Sequence, residues 1–252
     1  MNIGIVGLGL IGGSIGLKLQ SLNHTVYGVT NTNLNEIKAK ERQLANFISQ
    51  DYGILENCSI IILALPIKNL INPSENLIKA IPNKAIITDV GSVKVPIIET
   101  WERIHDYFIG SHPMAGTEEK GVNAGKIELF DNSKWVITPT HKTDQNSLQT
   151  LSELFKNMGC EICVENPVIH DQAVANISHL PIYLASCLIE TAYCKNNKDL
   201  LTLSSKLAAS GFLDTSRVGG GNPYLGMDLA ENNTINIPVS YTHLRAHETK
   251  RN

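Results

Sequence analysis

A Rossmann-type α/β fold, a doubly wound parallel sheet followed by an all-helical second domain, is what this sequence predicts, and three features predict it. Short β-branched runs alternate with helix-compatible stretches over roughly the first 165 residues. A glycine-rich turn, Gly7-Leu8-Gly9-Leu10-Ile11-Gly12, directly follows the first of those runs. The strand-like runs stop near Asn166, beyond which the chain reads as helix. In order, strands are expected at residues 2–6, 25–29, 59–65, 85–89, 107–110, 135–138 and 161–164. Helices are expected between them at 11–22, 33–42, 67–80, 93–103 and 144–158. Residues 169–193 then form one long stretch, apolar nearly all round, as in a core helix or an oligomer interface, with a kink suggested at Leu180-Pro181. The expected domains are 1–165 for dinucleotide binding and 166–238 for the helical part, with 239–252 set apart.

That last segment, which begins Val239-Ser240-Tyr241-Thr242-His243-Leu244-Arg245, resembles the codon-for-codon translation of a transposon adapter used in sequencing libraries. It is excluded from fold reasoning as a scar would be. The helical pattern stops at Ala230 without a closing element, so the helical domain is expected to be truncated.

The 252 residues, 42% of them apolar, can bury one or two cores and carry no disordered bias. The apolar runs at 3–6 and 60–65 are too short to cross a bilayer, and the N-terminus lacks the basic-then-apolar design of a secretion signal, so a cytoplasmic protein without a membrane partner is expected. Five cysteines, an odd count without a compact framework, read as reduced thiols. Cys160 and Cys163 have metal-like spacing, but in a strand such positions point to opposite faces, and no metal site is expected. The net charge of −3, with no basic stripe or interleaved aromatics, argues against nucleic acid.

The glycine turn carries the cofactor reading. Gly7 makes the tight turn, Gly9 lets backbone approach a pyrophosphate, and Gly12 lets helix pack closely on strand. The pyrophosphate then rests on a helix N-terminus, where free N–H groups and the dipole favour anions. Leu8, Leu10 and Ile11 belong to the same turn, and Leu65-Pro66 ends the third expected strand beside it. An NAD-specific site usually carries an acid at the end of the second strand. Here Thr30-Asn31-Thr32 stands there, so nothing repels a 2′-phosphate, and NADP is preferred to NAD although no arginine is present.

Two loops are expected at the C-terminal ends of later strands, where ligands of such sheets bind: Asp89-Val90-Gly91-Ser92-Val93-Lys94, and Gly110 to Glu118. His112 on the second loop can take a proton from a hydroxyl while hydride leaves the same carbon, and is the expected general base.

His112-Pro113-Met114-Ala115-Gly116-Thr117-Glu118 resembles the signature of the prephenate and arogenate dehydrogenases, and Ile177-Ser178-His179-Leu180-Pro181 and Asp214-Thr215-Ser216-Arg217-Val218 resemble that family's helical-domain motifs. The resemblance runs from Met1 to about Ala230. It implies oxidative decarboxylation of arogenate or prephenate, with hydride passing to the nicotinamide and carbon dioxide leaving as the ring becomes aromatic. It also implies roles: His112 as base, Ser92 orienting the same hydroxyl, and Arg217 binding a substrate carboxylate through its guanidinium fork. Asp214 would brace Arg217, Glu118 would orient the pocket or lie in a solvated turn, and His179 would bind substrate or shape the site. Family members with a strong prephenate preference carry a second histidine after His-Leu-Pro, where Ile182 stands here, and Arg217 to Pro223 resembles the arogenate-using branch. The family dimerises through its helical domain, so a homodimer is expected of a full-length chain. A β-hydroxyacid dehydrogenase shares the two-domain plan but resembles enzymes needing a lysine on the interdomain helix, and residues 165–194 contain none. A dinucleotide-binding sensor without catalysis would leave the His112 and Arg217 motifs unused.

Overall fold

The computed structural model describes residues 1–117, 119–193, 197–221 and 223–248, without the side chains of 223–225, 247 and 248. It divides into two compact units, Met1–His170 and Asp171–Asn252.

Unit 1 is built on one eight-stranded sheet, with strands β1 (Asn2–Val6), β2 (Thr25–Val29), β3 (Phe47–Ser49), β4 (Ile60–Leu63), β5 (Ile86–Asp89), β6 (Phe108–Pro113), β7 (Lys134–Thr138) and β8 (Glu161–Val164). Their order is β3-β2-β1-β4-β5-β6-β7-β8. All pairs are parallel except β6 with β7. The helices α1 (Leu10–Ser21), α2 (Asn33–Glu41), α3 (Ile67–Ile71), α4 (Glu75–Ala80), α5 (Val95–Trp101) and α6 (Gln145–Asn157) supply the crossovers. All four residues of β4 are buried, as a central strand covered on both faces requires. The main core gathers Ile3, Ile5, Ile15 and Leu19 with Phe130, Trp135 and Phe155, where the Trp135 and Phe155 rings stack at 3.9 Å. The sheet order reverses between β1 and β4, and a crevice opens at that switch point.

The structure departs from the sequence expectation in four places. The short β3 was not expected; it is three residues long with exposed Phe47 stacked on Tyr27, too brief to show a period. The helix expected over 67–80 is two, because Pro73 interrupts it and Ser74 caps a new start by accepting from Leu77 N–H. Strand β6 runs on to Pro113, since antiparallel β7 extends its ladder, so His112 lies in a strand opposite Val136 rather than on a loop. Finally, the disturbance expected at Leu180-Pro181 takes the form of a π turn, Ala175–His179, just upstream. Pro181 lacks an N–H and would crowd the carbonyl of Ile177, and a widened turn relieves both.

Unit 2 is helical. Asn166 starts α7 (Pro167–Val174), its side-chain oxygen accepting from Val168 and Ile169 N–H at 2.8 and 3.3 Å. Through the π turn the path continues into α8 (Leu180–Tyr193), followed by α9 (Lys198–Leu207), α10 (Ser210–Ser216), a 3-10 turn (Arg217–Gly220), α11 (Pro223–Asn232) and α12 (Asn236–Glu248). By length and composition the path Pro167–Tyr193 could cross a bilayer, yet it carries Asp171 and His179 into the interior of the unit, while Ile177 and Leu184 stand exposed. Asn233 organises that interior. Its amide donates to the Asp171 carbonyl at 2.9 Å and to His179 Nδ1 at 3.1 Å, and its oxygen accepts from Asn236 at 2.7 Å.

Asn233→Ala removes the donor from two buried acceptors and should cost about 1–3 kcal/mol. Urea denaturation followed by circular dichroism checks this, and an unchanged midpoint would mean that the network is not structural.

Candidate active site

The crevice between β1 and β4 is shaped by backbone. Gly7 has φ +96° and donates to the Val29 carbonyl at 2.9 Å; a Cβ there would stand 2.3 Å from the Ala64 carbonyl oxygen. A Cβ on Gly12 would meet the Gly7 oxygen at 1.8 Å, so α1 reaches this close to the turn only with glycine. Gly9, by contrast, faces open space. It caps α1 without a side-chain hydrogen bond, leaving the helix N-terminus available to an anion.

A cavity of about 350 Å³ lies against this turn. Of the residues expected to hold a cofactor, Gly7, Leu8, Gly9, Thr30, Asn31, Leu65 and Pro66 line it, while Leu10, Ile11, Gly12 and Thr32 do not. Thr32 instead caps α2, accepting from Asn35 N–H at 3.2 Å. Asn35, Tyr52, Gly121 and Val122 also line the cavity and carry no sequence signal that singles them out. The buried Thr30 hydroxyl has no hydrogen-bond partner among the described residues, which is the condition of a group awaiting a ligand. A glycine cradle, an open helix N-terminus and an unsatisfied hydroxyl at the end of β2 fit a nicotinamide dinucleotide.

The segment after His112 closes back over this crevice. Arg42 donates to the carbonyls of Val122 and Gly125, both at 2.7 Å, and Lys126 N–H donates to the Ser14 hydroxyl at 2.8 Å. Arg42 is therefore engaged with backbone.

The C-terminal ends of β5 and β6 are joined by a buried polar cluster. Lys94, fully buried, forms an ion pair with fully buried Asp89 and donates to the Ser111 carbonyl at 2.6 Å. Asp89 also accepts from Gly91 and Ser111 N–H at 2.7 and 3.1 Å. The Ser111 hydroxyl donates to the Asp89 carbonyl and accepts from Thr88 and the Trp135 indole. Burial pushes the Asp89 carboxyl above the usual carboxylate range, against the pull of the Lys94 ammonium and the two amides. Ser92 is half-buried on the turn that this cluster fixes, and His112 directly follows Ser111. The His112 ring is half-buried, with Nδ1 2.9 Å from Nε2 of His170, itself buried on the first turn of α7. Asp89, Lys94 and His170 were missed from the sequence. A lysine within apolar Val93 to Pro96 was the available signal for the first pair; no signal marked His170.

Within unit 2, Arg217 opens the 3-10 turn, exposed, directly after α10, which carries exposed Asp214. Gly219 lets that turn rest on α8, where a Cβ would meet the Ala185 carbonyl carbon at 2.4 Å, and Ser186 donates to the Gly219 carbonyl at 3.2 Å. His179 is fully buried, accepting from Asn233. Glu118 lies outside the described residues.

Sheet order, crevice and glycine turn define a Rossmann-type dinucleotide-binding protein with a helical second unit. Residues 15–164 match the nucleotide-binding domain of prephenate dehydrogenase and residues 166–250 its dimerization domain; the chain belongs to the prephenate dehydrogenase family. It is 31% identical over 245 residues to the prephenate dehydrogenase of Bacillus subtilis, matching 92% of this chain but 64% of that relative's length. Among solved structures, Synechocystis arogenate dehydrogenase is 40% identical, with a TM-score of 0.83 over 99% of this chain and 90% of that one. The A. aeolicus prephenate dehydrogenase in complex with hydroxyphenyl propionate and NAD+ is 26% identical, with a TM-score of 0.91 over 99% and 88%.

Removing Lys94 tests the cluster. Lys94→Met should cost roughly 3–5 kcal/mol near neutral pH by leaving a buried carboxylate unpaired. Because the folded-state pKa of Asp89 is raised, the variant should lie closest to wild type in acid and lose ground as pH rises through that pKa. Urea midpoints across that range check the sign; a difference independent of pH would place the cost elsewhere.

Proposed function

We propose that the chain is a cytoplasmic dehydrogenase of tyrosine biosynthesis that oxidatively decarboxylates arogenate in preference to prephenate, with NADP preferred to NAD. The observation that carries this reading is the pairing of a glycine cradle at the β1/β4 switch point with His112 at the C-terminal end of β6, on the same edge of the same sheet.

The dinucleotide, when bound, accepts the hydride. Gly9 and the N-terminus of α1 would hold its pyrophosphate, and Thr30 and Asn31, which line the same cavity, would meet the adenosine ribose. His112 accepts the substrate's ring-hydroxyl proton, Ser92 orients that hydroxyl, and Arg217, braced by Asp214, binds a carboxylate. His179 binds substrate or shapes the site, and Glu118 orients the substrate. The NADP preference is supported by a cavity lining that, among the described residues, contains no acidic side chain and offers Asn31 and Asn35 beside Thr30. The arogenate preference is supported by Ile182 in place of a second histidine and by the likeness to the Synechocystis arogenate enzyme. The match to a dimerization domain and the exposed Ile177 and Leu184 support a homodimer.

Initial rates at 340 nm, with arogenate and prephenate each against NADP and NAD, test the reading. Turnover should be fastest with arogenate and NADP; a folded protein silent in all four combinations would refute it. His112→Asn should bind dinucleotide normally and lose a factor of about 10² to 10⁴ in kcat. Arg217→Ala should mainly raise the KM for the cyclohexadienyl substrate, and a pure kcat effect would contradict carboxylate binding. Gly12→Ala should weaken dinucleotide binding by about tenfold or more, roughly 1.4 kcal/mol, in a calorimetric titration.

A further inference from the structure

A neutral imidazole carries one ring proton, and which nitrogen holds it decides whether the other can act as a base. Nδ1 of His112 is committed: it lies 2.9 Å from Nε2 of His170, with the rings edge-on at 75° and 5.1 Å between centroids. The contact is held rigidly from both sides. His112 is fixed by the β6/β7 ladder opposite Val136, one residue past the Ser111 carbonyl that Lys94 grips. His170 is fixed by the capped start of α7, where its N–H donates to the Asn166 carbonyl at 2.9 Å behind Pro167. His170 is 3% exposed, so solvent does not compete for its Nε2.

One proton lies between these two nitrogens, and the two ways of placing it have opposite consequences. If His170 Nε2 carries it, His112 accepts at Nδ1, is protonated at Nε2, and cannot take a further proton there as a neutral base. If His112 Nδ1 carries it, Nε2 is unprotonated and basic. We propose that His170 is a positioning residue: its Nε2 accepts from His112 Nδ1–H, locking His112 in the tautomer whose basic nitrogen is Nε2. This rests on the reading of His112 as general base. In the reaction the substrate O–H bond breaks as an N–H bond forms at His112 Nε2. The carbon's hydride leaves for the oxidised nicotinamide, and the resulting imidazolium keeps its Nδ1–H on His170. A buried histidine that merely filled space would impose no tautomer.

The test uses His170→Leu, which keeps bulk without an acceptor, and His170→Gln, whose amide oxygen can reach the same position. The Leu variant should lose about 10- to 100-fold in kcat with KM and dinucleotide affinity little changed, and the Gln variant should recover most of that loss. Independently of turnover, 15N-histidine NMR, with the His112 signals assigned by their loss in His112→Asn, should show Nδ1 protonated and Nε2 unprotonated in the wild-type protein. The Leu variant should shift that ring toward the Nε2–H form. Wild-type His112 protonated at Nε2, or a Leu variant with unchanged tautomer and kcat, would overturn the proposal. A wild-type enzyme inactive on every substrate would instead sink the functional reading, while the NMR spectrum still decides the pairing. Should the Leu variant fail to fold, the wild-type spectrum and the Gln variant decide it.

Discussion

The buried pair of Asp89 and Lys94 is the constraint on which the edge of the sheet around His112 depends. Two charges without solvent contact are a poor source of net stability, because desolvation consumes most of their attraction. Their effect is positional. Asp89 ends β5, Lys94 precedes α5, and Ser111 immediately precedes His112; one carboxylate and one ammonium bind all three segments together. The indole of Trp135 closes the same network from β7, adding a further restraint on the residue before His112. Ser92 lies half-buried on the turn between the paired residues.

The second constraint is the crossover between β1 and β4. The two strands pair in register, but the connections leaving their C-terminal ends run to opposite sides, and Gly7 and Gly12 remove the atoms that would fill the crevice between them. Arg42 and Ser14 then tie down the segment that follows β6, so Gly121 and Val122 form part of the crevice wall. Cradle and strand β6 are thus linked through one loop within unit 1. In unit 2, Gly219 allows the Arg217 turn to sit directly on α8, and the Asn233 network holds the π turn that ends in His179.

What the sequence made legible follows from the physics of each signal. Period and β-branching marked the long central strands, and glycine spacing marked the cradle, because both are written in consecutive residues. Edge strand β3 escaped because three residues carry no period, and the break at Pro73 was passed over although Asn72 and Ser74 beside it are poor helix formers that favour caps and turns. Thr32 was read as a ligand, whereas its hydroxyl is taken by a helix cap, a role that the same residue type serves equally well. His112 was legible from its motif. Its partner His170 stands 58 residues away and was not, since tertiary pairing leaves no local trace.

In the proposed reaction, hydride transfer and loss of a carboxyl group occur together. The direct measurement is the ratio of carbon dioxide released to nicotinamide reduced, using arogenate labelled in the ring carboxyl group. One carbon dioxide per reduced dinucleotide, with the aromatic amino acid as product, is the result predicted. Reduction at 340 nm without release of label would contradict it, leaving the chain an ordinary hydroxyl dehydrogenase on this fold.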